Sequence, residues 1–400
     1  MPPRCEHGRQ VARIARRRTK EARVNVADLI ASRVASLQEY APEPLEETAR
    51  RLGRPVAGLI KADANENPYG PTPAALEALA AYDQYHRYPD PISRQLASAI
   101  AEYVGVPSEH ILVGNGSDEL IDLILRLFRP DGPGKGIGEL IDCPPTFGMY
   151  GFYGATNDMQ VVAIPRRADY GVDIDAIVGH CKGDCRPRIL FVASPNNPDG
   201  QLLPDEVLDR LLALPLLVVL DEAYVEFAGG SRASWVPQYQ NLIVLRTFSK
   251  WAGLAGLRVG YGVFPSALMP SLWRLKSPYN VNGPAQAAAL ATLRDLEPAR
   301  MVIEAIKRDR DWMYQQLQGV PGLLAFPSTA NYISCRLQVG TLAELRAHME
   351  REGILLRYYG GPGLEQCLRI SVGTPEQNRA IVTALEAYAR NEMRSGQEQE

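Results

Sequence analysis

No apolar run in this sequence is long enough to span a bilayer. The longest, Leu211–Leu220, holds ten residues and is broken by Pro215, whereas a spanning helix needs roughly 20 apolar residues. A disulfide framework is missing too. Cys5, Cys143, Cys181, Cys185, Cys335 and Cys367 are scattered over 400 residues without a paired spacing, which fits a reducing compartment, so the chain reads as cytosolic. Net charge is only −3, with a pI near 6.1, so no global field draws the chain to nucleic acid, and small molecules are the default ligands. Metal-ligand spacing is equally thin. His180-Cys181 with Cys185 makes a CxxxC in a polar loop with no second pair, and no metal is expected. His7, His86, His110 and His348 form neither HExxH nor a triad pattern, so nothing points to a hydrolase. Gly132, Gly134, Lys135, Gly136 and Gly138 imitate a nucleotide loop, but no serine or threonine follows the lysine, and a connection between elements is the better reading.

What is present is an ordinary globular composition, 46% hydrophobic and 22% charged. The length suits a large domain plus a smaller one. The first 23 residues carry Arg4, Arg9, Arg13, Arg16, Arg17, Arg18, Lys20 and Arg23 against Glu6 and Glu21 and read as a disordered basic arm. An Arg-rich start also fits an organelle transit peptide, but those are usually Ser-rich and no serine precedes Ser32. Val26, Leu29, Ile30, Val34 and Leu37 follow helical spacing and predict an N-terminal helix closed by Pro42 and Pro44.

From residue 111 onward, short apolar runs alternate with amphipathic stretches. Strands are expected at 111–113, 140–143, 161–164, 189–193, 216–220, 242–245 and 259–263, with helices at 117–128, 204–214, 267–275 and 284–293 between or after them. Alternating βα units predict a mainly parallel, doubly wound sheet. A long helix from Pro298 to about Leu317 then precedes a smaller α+β pattern of strand, helix, strand, strand and helix. The expected division is a basic arm at 1–23, a segment at 24–66 packing with the small domain, a large ligand-binding domain at 67–293, a small domain at 294–392 and a frayed tail at 393–400.

Several of these strands end in residues suited to chemistry. Ile111-Leu112-Val113 runs into Gly114-Asn115-Gly116-Ser117-Asp118-Glu119 and a helix. Free N–H groups of a first helical turn beside glycines make an anion cradle, although an ordinary capped helix would look the same. Asp221 follows the apolar strand Leu216–Leu220, at the edge where open α/β sheets bind ligands. A carboxylate there needs a cation, which a protonated pyridine nitrogen would supply; an N-cap aspartate is the plainer alternative. Asn197, in Ser194-Pro195-Asn196-Asn197-Pro198-Asp199-Gly200, and Tyr224 offer donors to a phenolic oxygen at the same edge. Lys250, in Thr247-Phe248-Ser249-Lys250, does covalent chemistry with a carbonyl only if its amine is unprotonated. Arg258 would lower its pKa by like charge, and with Thr247 and Ser249 would suit a phosphate monoester.

Taken together, these motifs resemble the fold-type I, pyridoxal-phosphate-dependent aminotransferases, and among them the histidinol-phosphate aminotransferases. The likeness runs from about Asn25 to Tyr388 through Asn65-Glu66-Asn67-Pro68-Tyr69-Gly70-Pro71, Arg87-Tyr88-Pro89-Asp90, Gly114 to Glu119, Cys143-Pro144-Pro145-Thr146-Phe147-Gly148-Met149-Tyr150, Ser194 to Gly200, Asp221-Glu222-Ala223-Tyr224, Thr247 to Arg258 and Arg369-Ile370-Ser371-Val372-Gly373. The resemblance implies that Lys250 carries pyridoxal phosphate as an imine, that Asp221 pairs with the pyridinium, and that Asn197 and Tyr224 hold the phenolate. It puts the phosphate against Gly116, Ser117, Asp118, Thr247, Ser249 and Arg258. Phe147 would stack on the ring, where many relatives have tyrosine. Tyr88 matches a tyrosine that reaches the phosphate from the other subunit of similar homodimers.

For the substrate, the resemblance implies Asn67, Tyr279, Arg357 and Arg369. Arg369 and Arg357 would clamp the phosphate of histidinol phosphate in one half-reaction and the carboxylate of glutamate or 2-oxoglutarate in the other, with a surface residue on a strand as the plainer alternative for Arg357. Same-fold alternatives are a decarboxylase of threonine phosphate and an aminotransferase of aromatic amino acids. A ligand-sensing regulator would need a helix-turn-helix, and the basic arm is too short to be one.

Overall fold

The structure is a computed structural model and describes residues 25–35, 37, 43–130, 137–183 and 186–397. The basic arm at 1–23, Gly132, Gly134, Lys135 and Gly136 of the glycine-rich loop, Cys185, and residues 398–400 lie outside the described residues. The chain divides into two units, 1–41 and 42–400.

In the first unit the single expected helix is replaced by two short pieces. A 3-10 turn at Val26–Leu29 is capped by the Asn25 side chain, Ile30 is extended, and a helix covers Ser32–Ala35. The side chains of Val26, Leu29, Ile30 and Val34 stay exposed. Helical spacing alone does not sustain a helix this short when its apolar face is not buried.

The second unit holds two sheets. β1 (Ile60–Ala62) belongs to the smaller one. The larger takes the next seven strands: β2 (Ile111–Gly114), β3 (Glu139–Asp142), β4 (Gln160–Ala163), β5 (Arg188–Ala193), β6 (Leu216–Asp221), β7 (Leu242–Thr247) and β8 (Gly260–Val263). Their order is β2-β8-β7-β6-β5-β3-β4, with only β8 antiparallel to its neighbours. It is the mainly parallel seven-stranded sheet the βα alternation predicts. Alternate side chains enter two cores: Leu190, Val192, Val218, Leu220 and Val244 on one face, and Ile189, Phe191, Val219, Ile243 and Leu245 on the other. Burial on both faces is why these strands read as near-continuous apolar runs.

Register brings the useful ends together. Ala193, Asp221 and Leu245 lie in one row across β5, β6 and β7. Gly260 pairs with both Thr247 and Gly114, so the C-terminal ends of β2 and β7 flank the start of β8.

The smaller sheet adds β9 (Leu323–Ala325), β10 (Tyr332–Leu337), β11 (Ile354–Tyr358) and β12 (Cys367–Ser371) in the order β1-β11-β12-β10-β9. Two of its strands are not in the sequence reading. β1 and β9 have three residues each, too short for any period, and β1 forms only by pairing Ile60–Ala62 with Ile354–Leu356. The helix Glu297–Gln318 links the sheets' segments, and Pro375–Gln397 closes the chain, running into the stretch expected to fray. Helices at Arg94–Val104, Met149–Thr156 and Ile174–Cys181 were also not anticipated. The last corrects the polar-loop reading of His180 and Cys181: His180 Nε2 lies 2.7 Å from Glu139 Oε1 at the end of that helix.

Candidate active site

A cavity of about 370 Å³ opens over the C-terminal ends of the large sheet. Asp221, the last residue of β6, is 5% exposed and reaches it. Tyr150 donates to its Oδ2 at 2.7 Å and the Ala223 N–H to its Oδ1 at 3.0 Å. No Lys or Arg pairs with it among the described residues. Burial pushes its pKa up to about 6, and the Tyr150 hydrogen bond is the largest influence holding it down. A carboxylate this enclosed calls for a cation from the cavity side.

One end of the cavity is an anion corner. The helix Gly116–Leu127 starts there, and the N–H groups of Gly116, Ser117 and Asp118 are in its first turn, where the helix supplies no acceptor. Gly116 has φ +78, and a Cβ on it would lie 2.6 Å from an Arg258 guanidinium nitrogen; only glycine admits both that backbone and that cation. Arg258 Nη2 donates to Asp118 Oδ2 at 3.2 Å, so the Asp118 side chain holds the guanidinium, and an anion would meet the Asp118 backbone rather than its carboxylate. Across the corner, Ser249 Oγ lies 2.9 Å from Thr247 Oγ1, which also accepts from the Ser249 N–H.

Lys250 follows these hydroxyls and lines the same cavity. Its amine donates to the Ala64 carbonyl at 3.0 Å and lies 6.0 Å from the Tyr224 ring centroid. Burial, then the charge of Arg369, lowers its pKa to about 8. That corrects the sequence expectation, which gave this effect to Arg258; Arg258 is turned to Asp118 instead. The loop 67–71 covers the lysine's turn. Asn67 Nδ2 donates to the Trp251 carbonyl at 2.9 Å, and a Cβ on Gly253 (φ +69) would lie 2.3 Å from the Gly70 carbonyl oxygen.

The segment after β1, which lines the cavity through Ala64 and Glu66, is held from behind by the smaller sheet. Arg369, on β12, is buried and donates to Asn197 Oδ1 at 2.5 Å and to the Asp63 carbonyl at 2.6 Å, while its Nε has no partner among the described residues. With Oδ1 taken by Arg369, Asn197 is left to present its amide donor to the cavity it lines. Arg357 is the direct cross-strand partner of Arg369, so both cations rise from one face of the sheet. Like charges placed this way favour an anion between them.

Of the residues singled out from sequence, Ser117, Asp118, Phe147, Asn197, Asp221, Tyr224, Thr247, Ser249, Lys250 and Arg258 all line the cavity. Gly116 and Arg369 contact residues of that lining. Tyr88, Tyr279, Arg357 and Asn67 do not line it. Tyr88 is 82% exposed and stacks on Tyr279 at 4.5 Å between centroids; Arg357 is exposed beside Tyr359; Asn67 braces the turn after Lys250. Two residues were missed. Tyr150 lay within a quoted motif, with nothing in its spacing to reveal a bond to Asp221. Asn65 holds Tyr224 through contacts that only the fold creates.

The arrangement can hold a flat heterocycle with a phosphate at one end, a cationic ring nitrogen on Asp221 and an electrophilic carbon near the Lys250 amine. Comparison with known proteins gives matching results. Residues 57–385 match the family model described as aminotransferase class I and II. The chain is 45% identical over 374 residues to a histidinol-phosphate aminotransferase of Roseiflexus castenholzii, covering 91% of this chain and 99% of that protein. It is 44% identical over 372 residues to a chloroplastic histidinol-phosphate aminotransferase of Nicotiana plumbaginifolia, covering 92% and 89%. Among solved structures, histidinol-phosphate aminotransferase from Sinorhizobium meliloti in complex with pyridoxal-5'-phosphate superposes with a TM-score of 0.80 at 26% identity, covering 93% of this chain and 99% of that one.

Proposed function

Because this chain belongs to the aminotransferase class I and II family, we propose that it binds pyridoxal phosphate at Lys250 and moves an amino group between L-histidinol phosphate and 2-oxoglutarate, giving imidazole-acetol phosphate and L-glutamate in histidine biosynthesis. The observation that carries the reading is the pairing, in one cavity, of a buried carboxylate without a cation (Asp221) and a lysine amine whose pKa is lowered to about 8 (Lys250). When bound, the cofactor supplies a carbonyl for the substrate nitrogen and a ring that spreads the negative charge left at the substrate's α-carbon. Its phosphate fits the corner of Gly116, Ser117, Asp118, Thr247, Ser249 and Arg258, and Phe147 lies where a ring can be stacked.

The chain's own groups do the rest. Lys250 would be the base that takes the proton from the substrate's α-carbon and hands it back to the carbon on the other side of the nitrogen. Asp221 keeps the ring nitrogen protonated; Asn197 and Tyr224 donate to the phenolic oxygen. Arg369 and Arg357 clamp the phosphate of one substrate and the carboxylate of the other, so one cationic row serves both half-reactions. A homodimer belongs to the same reading: Tyr88, 82% exposed and stacked on Tyr279, would reach a second copy's phosphate. So does a cytosolic setting, with Cys143, Cys335 and Cys367 buried as thiols.

The test is single-turnover reaction of the loaded enzyme with histidinol phosphate, phenylalanine and threonine phosphate side by side. Histidinol phosphate should react fastest and yield a keto product. Faster turnover of phenylalanine, or carbon dioxide release from threonine phosphate, overturns the substrate assignment.

A further inference from the structure

Asn65 is among the most constrained residues at the site, and the function just proposed gives it no task. It is 1% exposed and holds φ +55, a left-handed backbone that asparagine tolerates better than most side chains. That turn points consecutive carbonyls at the machinery: Asp63 O accepts from Arg369, and Ala64 O accepts from Lys250. The residue's own groups are all engaged. Its N–H donates to Ser371 Oγ at 2.8 Å, Ser371 Oγ donates to its Oδ1 at 2.9 Å, Asn331 donates to its carbonyl at 3.0 Å, and its Nδ2 donates to the Tyr224 hydroxyl oxygen at 3.0 Å.

The order of donors matters. Ser371 Oγ already accepts from the Asn65 N–H, so its proton goes to Oδ1, and Nδ2 is left facing Tyr224. Tyr224 thus receives a hydrogen bond on its oxygen and keeps its own proton for the cavity it lines. Its ring is pinned edge-on against Tyr332 at 5.0 Å. Ser371 lies two positions after Arg369 on β12, so the same contacts join the phenol to the strand bearing the anion clamp.

Resting on the proposed cofactor, we propose that Asn65 is a positioning residue that aims the Tyr224 proton at the cofactor's phenolic oxygen and ties that aim to the Arg369 strand. Asn65→Asp keeps the shape, the left-handed tolerance and the acceptor for Ser371, but turns the Nδ2 donor into an acceptor that draws the Tyr224 proton away. Asn65→Gly keeps the backbone and leaves that proton free. A residue that served only packing would suffer more from glycine than from the isosteric aspartate.

The readout is the pH midpoint of the cofactor's visible absorbance in the loaded enzyme, together with kcat. A phenolic oxygen that loses a donor is a stronger base, and the Lys250 nitrogen beside it keeps its proton to higher pH. The midpoint should rise by about one unit in Asn65→Asp and less in Asn65→Gly, with kcat down about tenfold in the first. In a Tyr224→Phe background the aspartate shift should vanish. A shift that persists there comes from the added charge and overturns the proposal, as does a glycine variant more shifted than the aspartate. If the aspartate variant does not fold, a glycine midpoint displaced as far as that of Tyr224→Phe overturns it. A wild-type protein with no visible band overturns the cofactor reading itself, and this inference with it.

Discussion

The site has two walls built differently: the cavity lining on the large sheet, and the smaller-sheet wall that backs Asn197 and Asp63 without lining the cavity. On the large-sheet wall each group sits where a buried strand ends: Asp221 closes β6, Thr247 closes β7, and Gly116 follows β2 by two residues. The smaller-sheet wall has no such local logic. Arg369 is held by the Asp63 carbonyl and Asn65 by Ser371, contacts between residues 306 positions apart. The first wall strains charge, with a carboxylate raised to about 6 and an amine lowered to about 8 by burial. The second sets two cations in cross-strand register, Arg357 opposite Arg369, with Arg369 buried and Arg357 exposed outside the cavity. One wall is suited to keeping a cofactor, the other to exchanging anionic substrates, and mutations should divide accordingly.

The largest effect belongs to Lys250. Lys250→Ala removes both the attachment and the base, so the visible cofactor band should disappear and turnover should fall by more than about a thousandfold. Retained band and turnover would break the assignment of covalent chemistry to the large-sheet wall.

That wall was also the legible one. The seven strands of the large sheet were readable as short apolar runs, the central β5, β6 and β7 because they are buried on both faces, and the residues at or just after strand ends were readable because Asp, Gly and Lys there are unusual. Tyr150 escaped because it sits on a helix and its partner ends a strand 71 positions along the chain. Asn65 escaped because an asparagine in a loop of prolines and glycines looks like turn chemistry, whereas its role comes from β12. The N-terminal helix failed for the opposite reason: its periodicity was clear, but Val26, Leu29, Ile30 and Val34 are not buried, and a period stabilises a helix only through burial.

Next in size is Arg369→Lys. An ammonium cannot bridge Asn197 and the Asp63 carbonyl while forking an anion, so kcat/KM should fall on the order of a hundredfold for the phosphate amine and the dicarboxylate alike. Because Arg369 also lowers the Lys250 pKa by its charge, a lysine there that keeps the charge should leave the lysine–cofactor titration close to wild type. Loss for one substrate only would split the anion clamp in two. Gly116→Ala should be milder and confined to the cofactor: the new Cβ meets Arg258 at 2.6 Å in a backbone of φ +78, and affinity for pyridoxal phosphate should drop about tenfold with substrate KM unchanged, as measured by cofactor titration and steady-state kinetics.

Tyr150→Phe should have the smallest effect on turnover, a few-fold, and is the sharpest probe of how the large-sheet wall holds charge. The folded-state pKa of Asp221, about 6, lies above its ordinary value of 3.8. In the cofactor-free protein the folded state therefore binds more protons than the unfolded chain between about pH 4 and 6, and stability falls as pH rises through that window. Tyr150 opposes this by donating to the carboxylate at 2.7 Å. Without that hydroxyl the carboxylate pKa rises further, and the window extends toward neutrality. The cofactor-free variant should match wild type more closely at pH 5 than at pH 8, where losing a hydrogen bond to a buried charge costs roughly 2 kcal/mol, read from urea midpoints at the two pH values. The proposed cofactor would place a cation on Asp221 and should shrink the pH 8 difference. A deficit that is equal at both pH values and indifferent to cofactor would mean that Tyr150 only fills space beside Phe191, on which it stacks at 5.0 Å, and that Asp221 owes its ionisation to the cofactor alone.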